Sequence, residues 1–392
     1  MKVTALAAHP PPLEAVRAAL AARGWESQPA WFAATGIQPL VVLIEEITEA
    51  EREALVHWGA KAGTDVLTGD GWGLVAGATS RLAPLARYDR APPALARLAP
   101  ALGRVLAARA EPPRSWAIRG AELSLDQPVL IGILNVTPDS FSDGGNLATV
   151  DAAVAHAEKL TADGCQLIDV GGESTRPGAA PVPGREEIAR VVPVIEELVR
   201  RDLGPVSVDT RKADVARAAL DAGAAVVNDV SGFSVDPALA GVVAEARAGV
   251  ILMHMRGTPA TMDSLAEYRG GAVAIEVAAE LGAVAERAES AGISRELIVL
   301  DPGFGFAKTA AHNFRLLDEL ATIVGLGYPV AVGLSRKRFL GAATGRPVAD
   351  RDRATAVTCA LAWERGARLF RVHDVALTRE ALTLASATTN PT

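Results

Sequence analysis

A chain of 392 residues is long enough for two or three domains, and 49% hydrophobic residues can bury large cores, which excludes disorder for most of it. The net charge of −7, with acidic and basic residues interspersed, offers neither a basic face for nucleic acid nor a polybasic tract for a membrane surface, so small molecules are the expected partners. Only Cys165 and Cys359 are present, far apart and outside any CxxC pair, which argues against a disulfide framework or a cysteine zinc site and fits a reducing cytoplasm.

The chain opens MKVTALAAHPPPLEAV, which runs into paired prolines without a continuous apolar stretch, and no segment reaches the ~18 apolar residues of a membrane span. Within the first 90 residues, Leu13 to Arg23, Glu49 to Trp58 and Ser80 to Tyr88 have helical patterns, while Pro39 to Ile44 and Gly73 to Ala76 read as strands. These elements predict a small α/β domain over residues 1–90. Residues 91–120, rich in Pro, Ala and Arg, read as a linker containing a helix. No catalytic cluster stands out in either stretch, and a structural role is expected for the domain.

From Val129 onward, short β-branched runs ending in Gly, Asp, Asn or Ser alternate with Ala-rich amphipathic stretches. The candidate strands are Val129 to Asn135, Gln166 to Gly171, Val206 to Asp209, Val226 to Asp229, Val250 to Met253, Leu297 to Asp301, Val330 to Gly333 and Leu369 to Val372. Eight strand-then-helix units predict an α/β fold of the (β/α)8 TIM-barrel type over residues 121–392, preceded by the small domain. An open doubly wound sheet competes with this, but it usually carries one glycine-rich turn, whereas here polar residues follow nearly every strand.

In a barrel those strand ends build the site. The first gives Asn135, followed by the polar, glycine-rich run Thr137 to Gly145; Asn135 alone reads equally well as a turn residue. The second is followed by GGESTRPG, in which Arg and hydroxyl donors suit an anion. Asp209 and Asn228 end adjacent strands and can meet the edge of a nitrogen heterocycle or ligate a hard cation. His254 and Met255 follow the fifth strand; for His254 a structural role at the rim weighs as much as ligand contact, and Met255 suits packing on a ring face. Asp301 precedes a Gly-Phe turn with Lys308 close behind. Ser335-Arg336-Lys337 follows the seventh strand, and Arg371 with His373 ends the eighth, where barrels usually bind phosphate; their i, i+2 spacing aims both at one side.

Taken in order, ILNVTPDSFSDGG, GGESTRPG, SVDT, NDV, MHMRG, LDPGFGF, SRKRFLG and RVHDV resemble dihydropteroate synthase from about Val129 to the C-terminus. Eight ordered blocks at eight strand ends are far more specific than any single motif. The resemblance implies a transferase of folate biosynthesis that joins 6-hydroxymethyl-7,8-dihydropterin pyrophosphate to p-aminobenzoate, releasing pyrophosphate. By position it implies that Asp209, Asn228, Asp301, Lys337 and Met255 bind the pterin, with Asp209, Asp301 and Lys337 catalytic and Lys337 the pocket's only nearby ammonium. Asn135, Thr175, Arg371 and His373 would bind pyrophosphate, with Asn135 also holding Mg2+; Thr175, Arg176, Pro177, Phe306 and Ser335 would contact p-aminobenzoate. A cytoplasmic homodimer paired through outer barrel helices is implied as well.

Within this resemblance Arg256 replaces a more familiar Gln, and the uninterrupted GLSRKRFLG implies sulfonamide binding at the p-aminobenzoate site. Two alternatives share the fold: a pterin barrel of methyltetrahydrofolate methyltransferase type, which needs neither STRPG nor RVH, and a non-catalytic pterin-binding module, which would have lost Asn135, Lys337 or Arg371.

Overall fold

The computed structural model describes residues 39–87, 93–136, 146–173, 181–258, 260–268 and 272–389. The expected helix at Leu13 to Arg23 lies outside them. The chain divides into two compact units, Met1–Glu111 and Pro112–Thr392.

In the first unit, strands β1 (Pro39–Glu45), β2 (Asp65–Gly69) and β3 (Trp72–Ala78) form an antiparallel sheet in the order β1-β3-β2. Sequence reading placed β1 and β3 but not β2, although Asp70-Gly71 between the paired Gly69 and Trp72 is a strong two-residue hairpin signal, with Gly71 at φ 73°. Helix Glu49–Ala62 starts at a capping box in which Thr48 and Glu51 satisfy each other's backbone N–H groups, and it ends at a left-handed Gly63. Its Leu55 packs with Val75, Leu82, Leu85, Leu95, Leu102 and Leu106.

That core corrects the expected boundaries. Helix Leu98–Ala110 supplies Leu102 and Leu106 to the first unit, so it is part of that domain and not of a linker. The rest of the expected linker opens the second unit as a hairpin, β4 (Ser115–Ile118) paired with β5 (Ala121–Ser124).

Eight parallel strands follow: β6 (Val129–Asn135), β7 (Leu167–Gly171), β8 (Val206–Asp209), β9 (Val226–Asp229), β10 (Gly249–Met253), β11 (Ile298–Asp301), β12 (Ala331–Val332) and β13 (Leu369–Val372). They neighbour one another in the order β11-β10-β9-β8-β7-β6-β13-β12, and a parallel bridge between Leu300 and Val330 joins the two ends. Each strand leads into a helix, so the TIM-barrel expectation holds and the strand bounds agree to within a residue or two. The strands read as unbroken apolar runs because both of their faces are covered.

The hairpin closes the N-terminal end of the barrel. Trp116, Ile118 and Leu125 pack on the lowest interior layer, formed by Val129, Ile131, Leu167, Val226, Ile251, Val299, Ala331 and Leu369. Trp116 is fully buried, and its indole N–H donates to Leu297 O at 2.9 Å.

Candidate active site

Strand register decides which side chains meet. Asn135, Gly171, Asp209 and Asn228 lie on one rung across β6, β7, β8 and β9, so the sequence-predicted residues from three strand ends stand side by side at the C-terminal mouth. Gly171 keeps the rung open: a Cβ there would sit 3.6 Å from both Asn135 Oδ1 and Asp209 Cβ.

Beneath this rung is an acid that sequence reading missed. Asp169, fully buried in mid-β7, accepts from Asn228 Nδ2 at 2.9 Å and from Arg371 Nε at 2.5 Å through Oδ2. Its Oδ1 has no hydrogen-bond partner among the described residues, which leaves an acceptor for a donor above it. The signal was a carboxylate inside the otherwise apolar LIDVG strand, because a buried charge without a function is rare.

Arg371 Nη2 also donates to Asp209 Oδ2 at 2.7 Å, so the guanidinium joins the two acids. Burial pushes the Asp209 carboxyl up to about 7; Arg371 opposes the rise, and Asp169 adds to it. Arg371 and His373, expected to act together on one anion, have different protein partners. Arg371 turns into the barrel to neutralise the acids, with only its Nη1 edge unpaired among the described residues, while His373 Nδ1 pairs with Ser335 Oγ at 2.8 Å.

Asp301, at the end of β11, is buried, which raises its pKa, while its Oδ1 accepts from Gly303 N at 2.7 Å. Half-buried Lys337 places Nζ 4.1 Å from the centre of the Phe306 ring. Burial lowers its pKa to about 8 against the pull of Asp301. Met255 packs with Val230, Met253, Met262, Phe306 and Ala307 in the apolar wall beside it.

Lys337 is not the only ammonium nearby. Lys308 is 5% exposed and donates to His254 Nδ1 at 2.9 Å, Phe306 O at 3.0 Å and Gly303 O at 3.1 Å. Burial pushes it down to about 7, opposed first by Asp301. His254, also buried, faces Glu280 Oε2 through Nε2 at 2.9 Å, and its pKa falls to about 4 through burial and the adjacent Lys308. His254 therefore belongs to an internal network, the packing and hydrogen bonding at the rim that one of the two readings expects.

Thr175, Arg176 and Pro177, and the run Thr137 to Gly145, lie outside the described residues. Among the described residues no group of three His, Cys, Asp or Glu could hold a metal. Asn135, half-buried on the rung, still fits Mg2+ in a limited way, because that ion keeps most of its water and prefers substrate phosphate oxygens plus one or two protein oxygens.

The sequence profile of pterin binding enzymes matches residues 131–373. The chain is 48% identical over 272 residues to the dihydropteroate synthase of Mycobacterium leprae (strain TN), an alignment spanning 68% of this chain and 95% of that protein. The chain belongs to the dihydropteroate synthase family. The dihydropteroate synthase of Escherichia coli (strain K12) is 42% identical over 270 residues, covering 69% of this chain and 95% of its own. Among solved structures, Xanthomonas albilineans dihydropteroate synthase with 4-aminobenzoic acid superposes at a TM-score of 0.66 and 47% identity, over 70% of this chain and 98% of that one. The same synthase in complex with 7,8-dihydropteroate gives 0.63 and 44%, over 70% and 98%. Residues 1–130 precede the profile match to this family.

Proposed function

We infer that this chain is a dihydropteroate synthase: it condenses 6-hydroxymethyl-7,8-dihydropterin pyrophosphate with p-aminobenzoate to give 7,8-dihydropteroate and pyrophosphate, in folate biosynthesis. The observation that carries the assignment is the cluster of Asp169, Asp209, Asn228, Asp301, Arg371 and Lys337 at the mouth of a barrel that belongs to this family. The carboxylates match the donor-rich, guanidine-like edge of a pterin ring, and the unpartnered Asp169 Oδ1 offers one more acceptor.

The C–O bond of the pterin pyrophosphate breaks with its electron pair leaving on pyrophosphate. The resulting methylene cation is stabilised by the electron-rich dihydropterin and by Asp209 and Asp301 close to it. The p-aminobenzoate nitrogen, neutral at pH 7, forms the C–N bond and then sheds a proton to solvent, so no strong general base is required. What the protein supplies is position and charge.

Phe306, Ser335, Thr175, Arg176 and Pro177 hold the aromatic amine in this reading. Asn135, Thr175, His373 and the open edge of Arg371 hold pyrophosphate, and Ser335 links the two groups through its hydrogen bond to His373. Mg2+, when bound, offsets charge on the departing pyrophosphate, with Asn135 as its protein ligand. Exposed Val357, Leu361 and Leu384 lie on the contacting outer helices Asp352–Glu364 and Val375–Thr389, an apolar surface that supports a homodimer. Among the described residues no helix is long and apolar enough to cross a membrane, and both cysteines are free thiols; we assign the enzyme to the cytoplasm.

The test is pyrophosphate release by the purified chain with dihydropterin pyrophosphate, Mg2+ and p-aminobenzoate, with and without a sulfonamide. Release that needs both organic substrates and is inhibited competitively by the drug is expected. A folded protein that binds the pterin without releasing pyrophosphate would refute the assignment.

A further inference from the structure

The turn after β11 is held more tightly than a surface loop needs. Gly303 N donates to Asp301 Oδ1, Gly305 N donates to Asn313 Oδ1 at 2.7 Å, and Tyr268 Oη donates to Ala307 O at 3.1 Å. Ala307 sits at φ 49°, a left-handed conformation that a non-glycine residue keeps only where its surroundings impose it. Gly303 passes so close to β10 that a Cβ there would lie 2.0 Å from His254 O.

At the centre of the turn stands Lys308. Its three partners, Gly303 O, Phe306 O and His254 Nδ1, are all acceptors once Nε2 of His254 carries the proton facing Glu280. An ammonium has three N–H groups and satisfies all three, whereas a neutral amine has two and cannot. Glu280 in turn accepts from Arg256, whose guanidinium also reaches Glu276 and stacks 4.2 Å over the Tyr268 ring.

We propose that Lys308 is a positioning residue for the amine half of the reaction: seated on these three acceptors, it fixes the Gly303 to Phe306 turn, and so fixes the Phe306 ring on which Lys337 rests. The chain Arg256–Glu280–His254 holds the imidazole in the tautomer that Lys308 requires. Asp301 is on a strand paired on both sides and Lys337 is carried by the start of the helix Arg338–Thr344, so both keep their backbone anchors when the turn relaxes, whereas Phe306 lies in the turn itself. The proposal rests on the synthase reading.

It is tested by steady-state pyrophosphate release of the full chain, varying each substrate in turn, for wild type, Lys308→Met and Glu280→Gln. In Lys308→Met, KM for p-aminobenzoate and Ki for a sulfonamide rise by about tenfold or more while KM for the pterin substrate stays within about twofold, the split expected when one binding surface moves and the other does not. Glu280→Gln leaves Lys308 in place and gives the same split at about threefold, and it decides the matter if Lys308→Met does not fold. A variant that only melts earlier, with both KM values unchanged, overturns the proposal and leaves Lys308 a structural residue. An inactive wild type overturns the synthase reading and this proposal together; an active wild type with unchanged KM values in the variants overturns this proposal alone.

Discussion

Replacing Asp209 by Asn separates what the pocket costs from what it does. In the folded protein burial raises the Asp209 carboxyl from 3.8 to about 7, so between those values folding must keep protonated a group that the unfolded chain leaves ionised. A rise of roughly three pKa units at ~1.36 kcal/mol each makes the penalty on the order of 4 kcal/mol at most once pH exceeds 7. The penalty is absent below about 3.8, grows as pH rises, and is complete above about 7. An amide escapes it while still accepting from Arg371 Nη2, and the guanidinium keeps its bond to Asp169. Asp209→Asn should therefore melt several degrees above wild type at pH 8, and most of the gap should close by pH 5. The same change removes a charge-assisted bond to the pterin edge, about 1.5–3 kcal/mol, or roughly 10- to 150-fold in affinity. Differential scanning fluorimetry at the two pH values and calorimetric titration with the pterin pyrophosphate measure both effects. A variant that is less stable at pH 8, or that binds the pterin as tightly as wild type, would refute the reasoning.

Lys337→Ala should weaken pterin binding and abolish turnover, because Lys308 lies within the β11 turn and Arg371 between two acids, so neither can take its place; wild-type turnover in the variant would count against the assigned role. Trp116→Ala should cost about 3–5 kcal/mol by opening a cavity under the barrel and orphaning Leu297 O, seen as a lower denaturation midpoint, and an unchanged midpoint would show that the hairpin contributes little. Removing Met1–Glu111 should leave a folded barrel that still releases pyrophosphate, since the described pocket groups all belong to Pro112–Thr392; a soluble, folded but inactive product would show that the first unit takes part.

The barrel was legible because its signal is global: eight apolar runs, each ended by polar residues, leave few other architectures. Asp209, Asn228 and Asp301 stood out because a polar residue at a strand end has an obvious place to act, and Lys337 through the family resemblance. Asp169 carried only a general signal, a carboxylate in an apolar strand, since nothing in the linear order of LIDVG tells that its neighbours across the sheet are an Asn and an Arg from the fourth and eighth strands. The direction of Arg371 was hidden for the same reason. Residue spacing gives the face of a strand but not how deep a long side chain reaches, and two acids on adjacent strands draw the guanidinium inward. The linker was misplaced because Pro and Ala suit both a tether and a short helix, and only the burial of Leu102 and Leu106 distinguishes the two.

The hairpin shuts the barrel from below with an apolar layer, so whatever the strand ends hold reaches them from the opposite end. Stability and chemistry are thereby parted along one sheet: Trp116, Ile118 and Leu125 serve the packing at its lower end, while the buried acids and their guanidinium sit at its upper end.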